Sequence, residues 1–557
     1  MGKNKKHLQI TAGVLYALLL PSVVWAAPAV NVPDAGSLTN ITKPQIQDKK
    51  PLPNVQVEHK EQDAAKKNDL KILVKNITVQ GQNVISPAKL EPLYKDKLGK
   101  ELTFTELSTI ADSLANYFHK HGYPVATAYL PVQTVENGQV TIKVAVGNFG
   151  KILLINKSGL IDSVANNYLG HLKNGETVKG DKLDRTVLLL NDLNGVKSKA
   201  TLQPGTKAGT VDLLMELEND KKIDGYFSVD NWGNRYTGHN RAWLNLNLNN
   251  FTEQGDKLSA GGVYNGSWFK NFDFRYEVPI GGTGMNAGVS YSHLDYELAK
   301  ELETLNGYGS SRDMTYWLSY PWARSRNFNF NTKLFHVHRD LYDVIDLQNY
   351  TSRKRSDALG VSLNGDSMDN LWGGGFNSFD ITYLGGHLGM QSKDANYSDV
   401  YDTAGKYHKL NYSLTRLQNI TNRLSNFLYL RGQRSSKNLD SSEKLTVGGP
   451  TGVRAYGVNS ALGDEGYVFT DELRWNMPNN NLQLAAFYDN GKVIYNKDEF
   501  SGVDDRNQLI GAGLGIIFSK SNDYYIRIDH AWTITDTDKA SANGSGSRWW
   551  VQALKFF

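Results

Sequence analysis

From about residue 223 to the end of the chain, apolar and polar residues alternate with a period of two. Leu244, Leu246 and Leu248 interleave with Asn245, Asn247 and Asn249. Phe272, Phe274, Tyr276 and Val278 interleave with Asp273, Arg275 and Glu277, and Ile526 and Ile528 with Arg527 and Asp529. Successive side chains of a strand point to opposite faces, so each set marks one side of a sheet. Two architectures accept this pattern. One is a soluble sandwich with its apolar faces inward; the other is a membrane barrel with an apolar face on lipid and a polar face on a wet lumen. The alternation alone does not choose between them. The stretch is long for a single sandwich, and strands of 9–11 residues with their turns and loops give about 16 strands.

The N-terminus favours the barrel. Lys3, Lys5 and Lys6 precede an apolar run from Leu8 to Leu20, and Pro21-Ser22-Val23-Val24-Trp25-Ala26 leads to small residues. This pattern predicts a secretory leader over residues 1–26. No later stretch approaches the roughly 20 apolar residues of a spanning helix, and the mean hydropathy of -0.45 excludes a helical membrane protein. An exported chain that crosses a membrane without such helices does so as a closed barrel. The absence of cysteine excludes disulfides, thiolate metal sites and a cysteine nucleophile. A net charge of +4 implies no large nucleic-acid face.

Residues 27–222 have a different texture. Pro33-Asp34-Ala35-Gly36-Ser37-Leu38 caps and starts a short helix in the 27–47 segment, which Pro44 would end. Residues 48–70 are rich in Lys, Glu, Gln and Pro and read as a solvated linker. A strand at Ile72–Val79 leads to a helix beginning at Ser86-Pro87. Thr103 and Glu106 form a capping box for a second helix with Leu107, Ile110, Ala111, Leu114 and Phe118 on one face. Strands at Ala126–Gln133 and Gln139–Val146 flank an Asn137-Gly138 turn. A second unit of the same order fills 148–222, with helices at Ile161–Leu172 and Lys182–Leu193 and strands at Val196–Leu202 and Thr210–Leu217. Each unit is large enough to bury one helix-on-sheet core. The fold class expected is mostly β with small α+β modules.

Several local motifs, in order, resemble one family. The C-terminal strand ends Trp549, Trp550, Leu554, Phe556, Phe557, and a terminal Phe resembles the assembly signal of bacterial outer-membrane barrels. Lys555 departs from that signal and would snorkel, unless the register runs through Trp550, Leu554 and Phe556. Gly122-Tyr123, Tyr129-Leu130-Pro131-Val132-Gln133, Gly138 and Gly147 are similar to the end of a first polypeptide-transport-associated (POTRA) domain. Leu188 to Val196, with Pro204-Gly205 and Gly209-Thr210-Val211-Asp212-Leu213, is similar to a second. Asn194 stands where the family has proline, which predicts a less rigid turn. Asp230-Asn231-Trp232-Gly233 and Gly255-Asp256 resemble the first barrel hairpin. The sharpest match is Gly448-Gly449-Pro450-Thr451-Gly452-Val453-Arg454-Ala455-Tyr456, followed by Gly463-Asp464 and Asp471-Glu472-Leu473. Phe487-Tyr488-Asp489-Asn490-Gly491 completes the set. The chain is thereby identified as a member of the two-partner (type Vb) secretion transporters, the hemolysin-activator and filamentous-hemagglutinin-transporter (TpsB) family.

The resemblance implies a transmembrane β-barrel (223–557) preceded by an N-terminal plug helix and two POTRA domains (71–147 and 148–222). It implies residence in the bacterial outer membrane, with the N-terminal domains in the periplasm. The expected partners are one large secreted β-helical exoprotein (TpsA type) and outer-membrane lipid, with no nucleic acid. The cargo is open between an adhesin, a hemolysin and a contact-dependent inhibition toxin. Val453, Arg454, Ala455 and Tyr456 would sit on a loop folded back into the barrel, with Asp489 of the wall binding Arg454. Ala455 replaces the family's glycine, so its backbone is expected to avoid positive φ. A planar guanidinium suits a bidentate carboxylate contact. Loss of such a buried pair costs roughly 3–5 kcal/mol, and a wet lumen would lessen it. Strand addition at a POTRA edge is the expected mode of capture, at Thr141, Val144 and Val146 or at Thr210 and Leu213.

No phosphate-binding Gly-Lys-Ser loop, nucleophile elbow or zinc-protease motif is present, so no enzyme, cofactor or metal is expected. His336 and His338 share a strand face without a third ligand, and His119 and His121 do not face each other on their helix. Asp536 and Asp538 lack the spacing of a calcium loop. The alternatives are a barrel-assembly insertase of the same POTRA-barrel plan, and a passive porin or an envelope enzyme, the last without a visible catalytic constellation. The plug segment argues against the first, and the periplasmic modules against the second.

Overall fold

A computed structural model describes residues 32–40, 43–44, 52–58, 71–266, 268–479, 481–498, 506–534 and 546–557. The leader expected over 1–26, most of the 48–70 linker and the Asp536/Asp538 hairpin lie outside the described residues.

The first module joins a two-stranded sheet (Lys71–Val74 with Lys100–Thr103) to a three-stranded one ordered Asn76–Gln80, Gln139–Ala145, Thr127–Tyr129. The single strand expected over Ile72–Val79 is therefore two. The chain bends at Lys75, where the amides of Lys75 and Asn76 both donate to the Gly138 carbonyl. The helix Phe104–Lys120 starts at the anticipated capping box. Thr103 Oγ accepts from the Glu106 amide at 3.2 Å, and Glu106 accepts from the Thr103 amide at 2.7 Å. Leu107, Ile110, Ala111, Leu114 and Phe118 are its buried face. Asn137 and Gly138 both adopt positive φ (54° and 72°) in a tight turn closed by the Gln139 amide on the Glu136 carbonyl. The strand expected over Ala126–Gln133 is only Thr127–Tyr129, and its pairing of Tyr129 with Lys143 leaves a longer loop than a two-residue hairpin.

The second module sets helices Asp162–Leu169 and Gly180–Asp192 on a four-stranded sheet. Its order is Val55–Val57, Val196–Pro204, Thr210–Asn219, Asn148–Lys157. Leu183, Val187, Leu190, Leu213, Met215 and Leu217 form its core. The 48–70 segment is thus more than a spacer: Val55–Val57 pairs in parallel with Ala200–Leu202. A three-residue Val-Gln-Val alternation is too short to register as a strand by periodicity. An open sheet edge supplies the missing partner.

Residues 223–556 close into a barrel of sixteen antiparallel strands, from Ile223–Asp230 to Ser547–Phe556. The two ends zip shut from Tyr226↔Phe556 to Asp230↔Gln552. Outward positions are apolar, as with Leu484, Ile516 and Ile528, all exposed. The terminal strand turns Trp550, Gln552 and Leu554 inward, and Lys555 outward, where it pairs with Asp523. No helix among the described residues is long and apolar enough to cross a membrane; the strands do so.

The second module docks on the turns at one end of the barrel. Asp192 takes both Nε and Nη2 of Arg324 (2.7 and 2.8 Å), and Asp184 takes Arg326 at 3.0 Å. Asn194, at the family's proline position, donates from its backbone (3.1 Å) and its side chain (3.2 Å) to the Gly255 carbonyl of the first hairpin. The turn is not loosened as expected. Asparagine supplies two donors where proline has none.

Candidate functional site

Between strands Leu424–Ser435 and Glu465–Asn476 the chain leaves the wall and returns through the bore. A two-residue ladder, Leu445–Thr446 against Leu462–Gly463, makes the return loop a narrow hairpin. Arg454 sits near its tip and is 4% exposed. Its Nε and Nη2 donate to the two oxygens of Asp489, each at 2.8 Å, and its own amide donates to Asp489 Oδ2 at 3.1 Å. The guanidinium lies 3.3 Å from the centre of the Phe487 ring. The pairing of Arg454 and Asp489 anticipated from the motifs is present in the geometry.

The sequence reading missed the rest of the network. Arg454 Nη1 also donates to Glu472 Oε2 at 2.7 Å and reaches Asp529 at 3.4 Å. Arg527 bridges Glu472 (2.7 Å) and Asp529 (2.8 Å), and Arg474 donates to the other oxygen of Glu472 at 2.7 Å. Three guanidinium groups thus meet three carboxylates, all buried. Thr470 Oγ1 donates to Asp489 at 2.9 Å, and Trp550 Nε1 donates to the Arg454 carbonyl at 2.6 Å. Four wall strands converge on one loop residue. The signal was the alternation of Arg527 and Asp529 with Ile526 and Ile528, which marks those charges as inward. Burial also overturns the wet-lumen expectation: with Asp489 at 0% and Glu472 at 1% exposure, solvent does not screen these pairs.

The wall makes room for the loop with glycines. Val453, Ala455 and Tyr456 are buried against Val468, Val493, Leu509 and Ala531. A Cβ on Gly511 would stand 2.7 Å from that of Ala455, and one on Gly491 2.3 Å from Val447. Ala455 is not among the residues with positive φ, in line with the glycine's replacement.

The plug is a single buried turn and a half, Ala35–Thr39, ended at Asn40 well before Pro44. Asp34 caps it through the Ser37 amide at 2.8 Å. Two elements hold it. From the wall, Asp343 accepts from the Ala35 amide and the Tyr296 hydroxyl, both at 2.7 Å. From the return loop, Ser441 donates to Asp34 at 2.6 Å. Contact is close enough that a Cβ on Gly36 would meet Ser441 Oγ at 2.3 Å. The plug and the return loop therefore form one insert inside the cylinder.

The predicted capture edges require correction. Thr141 and Val144 lie on Gln139–Ala145, paired on one side with Asn76–Gln80 and on the other with Thr127–Tyr129. Val146 lies just past its end. Thr210 and Leu213 lie on Thr210–Asn219, paired with both Val196–Pro204 and Asn148–Lys157. Both strands are central because a parallel crossover brings the first strand of each unit beside the last, a partner that chain order hides. The edges of these two sheets are Asn76–Gln80 and Thr127–Tyr129 in the first module, and Val55–Val57 and Asn148–Lys157 in the second.

His119 bonds the Ala126 carbonyl, and His121 stacks on Tyr117. His336 and His338 face outward beside Asp357. Among the described residues no group of three or more His, Asp or Glu is placed to hold a metal.

A closed barrel filled by an insert and preceded by strand–helix modules is the plan of outer-membrane proteins that handle other polypeptides, and the family match decides between export and assembly. Residues 209–518 match the haemolysin secretion/activation protein family ShlB/FhaC/HecB, and residues 72–147 match the ShlB-type POTRA domain. The chain belongs to that family and carries an exoprotein across the outer membrane, so the secretion reading stands over the assembly insertase. It is 29% identical, over the whole of both chains, to the heme/hemopexin transporter protein HuxB of Haemophilus influenzae (strain 86-028NP). It is 22% identical to the outer membrane transporter CdiB of Dickeya dadantii (strain 3937), over 71% of this chain and 72% of that one. The fold is similar to that of CdiB from Escherichia coli, with a TM-score of 0.65 and 18% identity, covering 89% of this chain and 93% of that one.

Proposed function

We propose that the chain exports one large, unfolded, β-helical exoprotein through the bore, after the plug and return loop shift, with no catalytic chemistry or cofactor of its own. In this reading residues 1–26 are the leader, 27–47 the plug segment and 48–70 the linker. Residues 71–147 and 148–222 are the POTRA domains, and 223–557 the pore. The observation that carries it is the insert itself. The plug is held by hydrogen bonds and by Ala35 and Leu38, which sit in an apolar cluster with Trp243, Phe269, Leu294 and Leu302 of the barrel; it is one short turn, so its seat is small beside the wall's closed ladder. Polar contacts of that kind are exchangeable for water once the bore hydrates.

Capture belongs to a true edge. Asn148–Lys157 ends its sheet and exposes Leu153 (48%) and Ile155 (39%) on one face. Such an edge offers main-chain pairing with alternate side-chain grip. The full-length likeness to a heme/hemopexin transporter makes a hemopexin-handling exoprotein the first cargo to test, ahead of an adhesin, a hemolysin or a growth-inhibition toxin.

The test is first whether a large repeat-rich exoprotein is encoded beside this gene, and then whether that exoprotein is secreted. Deleting the transporter should leave that exoprotein in the periplasm, and Leu153→Lys with Ile155→Lys should abolish its capture by the full-length chain. Undiminished secretion without the transporter would refute the function. Undiminished capture by the double variant would refute only the edge.

A further inference from the structure

The barrel carries a second concentration of charge, on its outer surface. Along the strand Tyr350–Asp369 the outward side chains read Arg353, Arg355, Asp357 and then Leu359, Val361, Leu363. The turn carrying Arg324 and Arg326 is the one docked on the periplasmic module, so the charged half of this strand lies at the opposite, external end. Neighbouring strands switch at the same level. Leu334 gives way to His336, His338 and Asp340; Tyr383 to His387; Leu410 to His408 and Lys406; Met314 to Arg312. The register sets them side by side. One ladder row runs Arg312↔Asp340↔Arg355, and the next runs His338↔Asp357↔His387↔Lys406.

Cations exceed anions in this belt. Arg355 binds Asp340 at 2.8 Å and His338 binds Asp357 at 2.7 Å, which uses both carboxylates. Arg312 and Lys406 have no ion-pair partner among the described residues, and Arg353 lies 5.4 Å from the Tyr342 ring. The periplasmic end of the same surface is different, because Arg416 is neutralised there by Asp369 at 2.8 Å. The surplus is therefore external, and it begins directly above exposed Leu334, Leu359, Tyr383 and Leu410. In a lipid-embedded barrel that is headgroup level.

We propose that this belt binds the phosphate groups of a lipopolysaccharide-type glycolipid of the external leaflet, whose acyl chains lie on the apolar band beneath. Guanidinium groups pair with phosphate oxygens two at a time, and charge-assisted bonds of this kind are among the stronger ones. The two carboxylates hold Arg355 and His338 in position and leave the remaining cations facing outward.

The test uses full-length protein in detergent, titrated with rough-type lipopolysaccharide and with the same material dephosphorylated, and read by native mass spectrometry. Phosphorylated glycolipid should bind about tenfold or more tightly than dephosphorylated. Arg312→Gln, Arg353→Gln, Arg355→Gln and Lys406→Gln combined should remove that preference, with heat-modifiable gel mobility retained. Arg416→Gln, at the other end, should leave it intact. Equal binding of the two glycolipids by the unaltered protein would overturn the proposal whether or not the combined variant folds. So would an unchanged preference in that variant. Displacement of the glycolipid by excess inorganic phosphate alone would replace it with a free-anion site.

Discussion

The second periplasmic module and the barrel are both built from alternating strands, and they place opposite chemistries inside. In the module, Leu213, Met215 and Leu217 turn inward at 0% exposure, while Lys197 and Lys199 face water. In the barrel, Glu472, Arg474, Arg527 and Asp529 turn inward, and Leu473 and Ile528 face lipid. Burial of apolar surface is non-directional and holds the module as one body. The barrel's wall is held by its closed ladder, and its interior combines apolar contacts of the insert with directional ionic contacts to the return loop. An insert fixed in this way has a resting position that apolar packing of Val453, Ala455 and Tyr456 supports and that the ionic contacts of Arg454 define. That suits a part that must move.

If the contrast is right, the two interiors should fail differently. Arg454→Ala should have the largest effect, because it leaves Asp489, Glu472 and Asp529 facing one another with a cation removed. Breaking a buried pair from one side costs roughly 3–5 kcal/mol, here charged to the loop's position and not to the wall. Secretion should fall sharply and the loop should become protease-sensitive, while heat-modifiable mobility persists. Normal secretion at full expression would show that the network is not what seats the loop.

Leu190→Ala is the matching test in the module. The side chain is fully buried, and such truncations cost about 2–5 kcal/mol. In a urea titration of the full-length chain, the module's transition should move to lower denaturant while the barrel's stays in place. Movement of both together would mean that the docked turns couple the regions into one cooperative unit.

A gentler probe of the loop seat is Gly511→Ala, whose new methyl meets Ala455 Cβ. Overpacking of this kind costs about 1–3 kcal/mol. Adding Ala455→Gly should restore secretion. Failure of that rescue would place the strain elsewhere in the strand.

These two interiors were not equally legible in the sequence. The helices of both periplasmic modules were, because a 3.6-residue repeat is local: in the second module Asp162–Leu169 and Gly180–Asp192 lie at the expected places, and in the first Thr103, Glu106 and the Leu107–Phe118 face stand as expected. The barrel's strand number followed from membrane thickness and chain length. Arg454 with Asp489 was reachable only through motif resemblance. Glu472, Arg527 and Asp529 were not, because their meeting depends on which strands neighbour one another after closure. The capture edges failed for a related reason. Pairing of Asn76–Gln80 with Gln139–Ala145 is a long-range parallel contact, and nothing near Thr141 in the chain announces it.

The smallest effect is expected where the structure is most local. Thr103 accepts from the Glu106 amide, and Ala in its place should cost about 1 kcal/mol, confined to the first module. The capping box also has a pH signature. The backbone amide of Thr103, and then its hydroxyl, hold the Glu106 carboxyl below the usual carboxylate range. A carboxyl with a depressed folded pKa contributes stability that is present above its unfolded pKa and lost as the pH falls through the folded one. The module's urea midpoint should therefore decline on acidification into that range, and Glu106→Gln should flatten the decline. The site is solvent-exposed, so salt and water limit the effect. Because the box lies wholly within one module, neither change should alter the barrel or the seating of the return loop. An effect of Thr103→Ala on loop protection would show that the two regions communicate through the docked periplasmic turns.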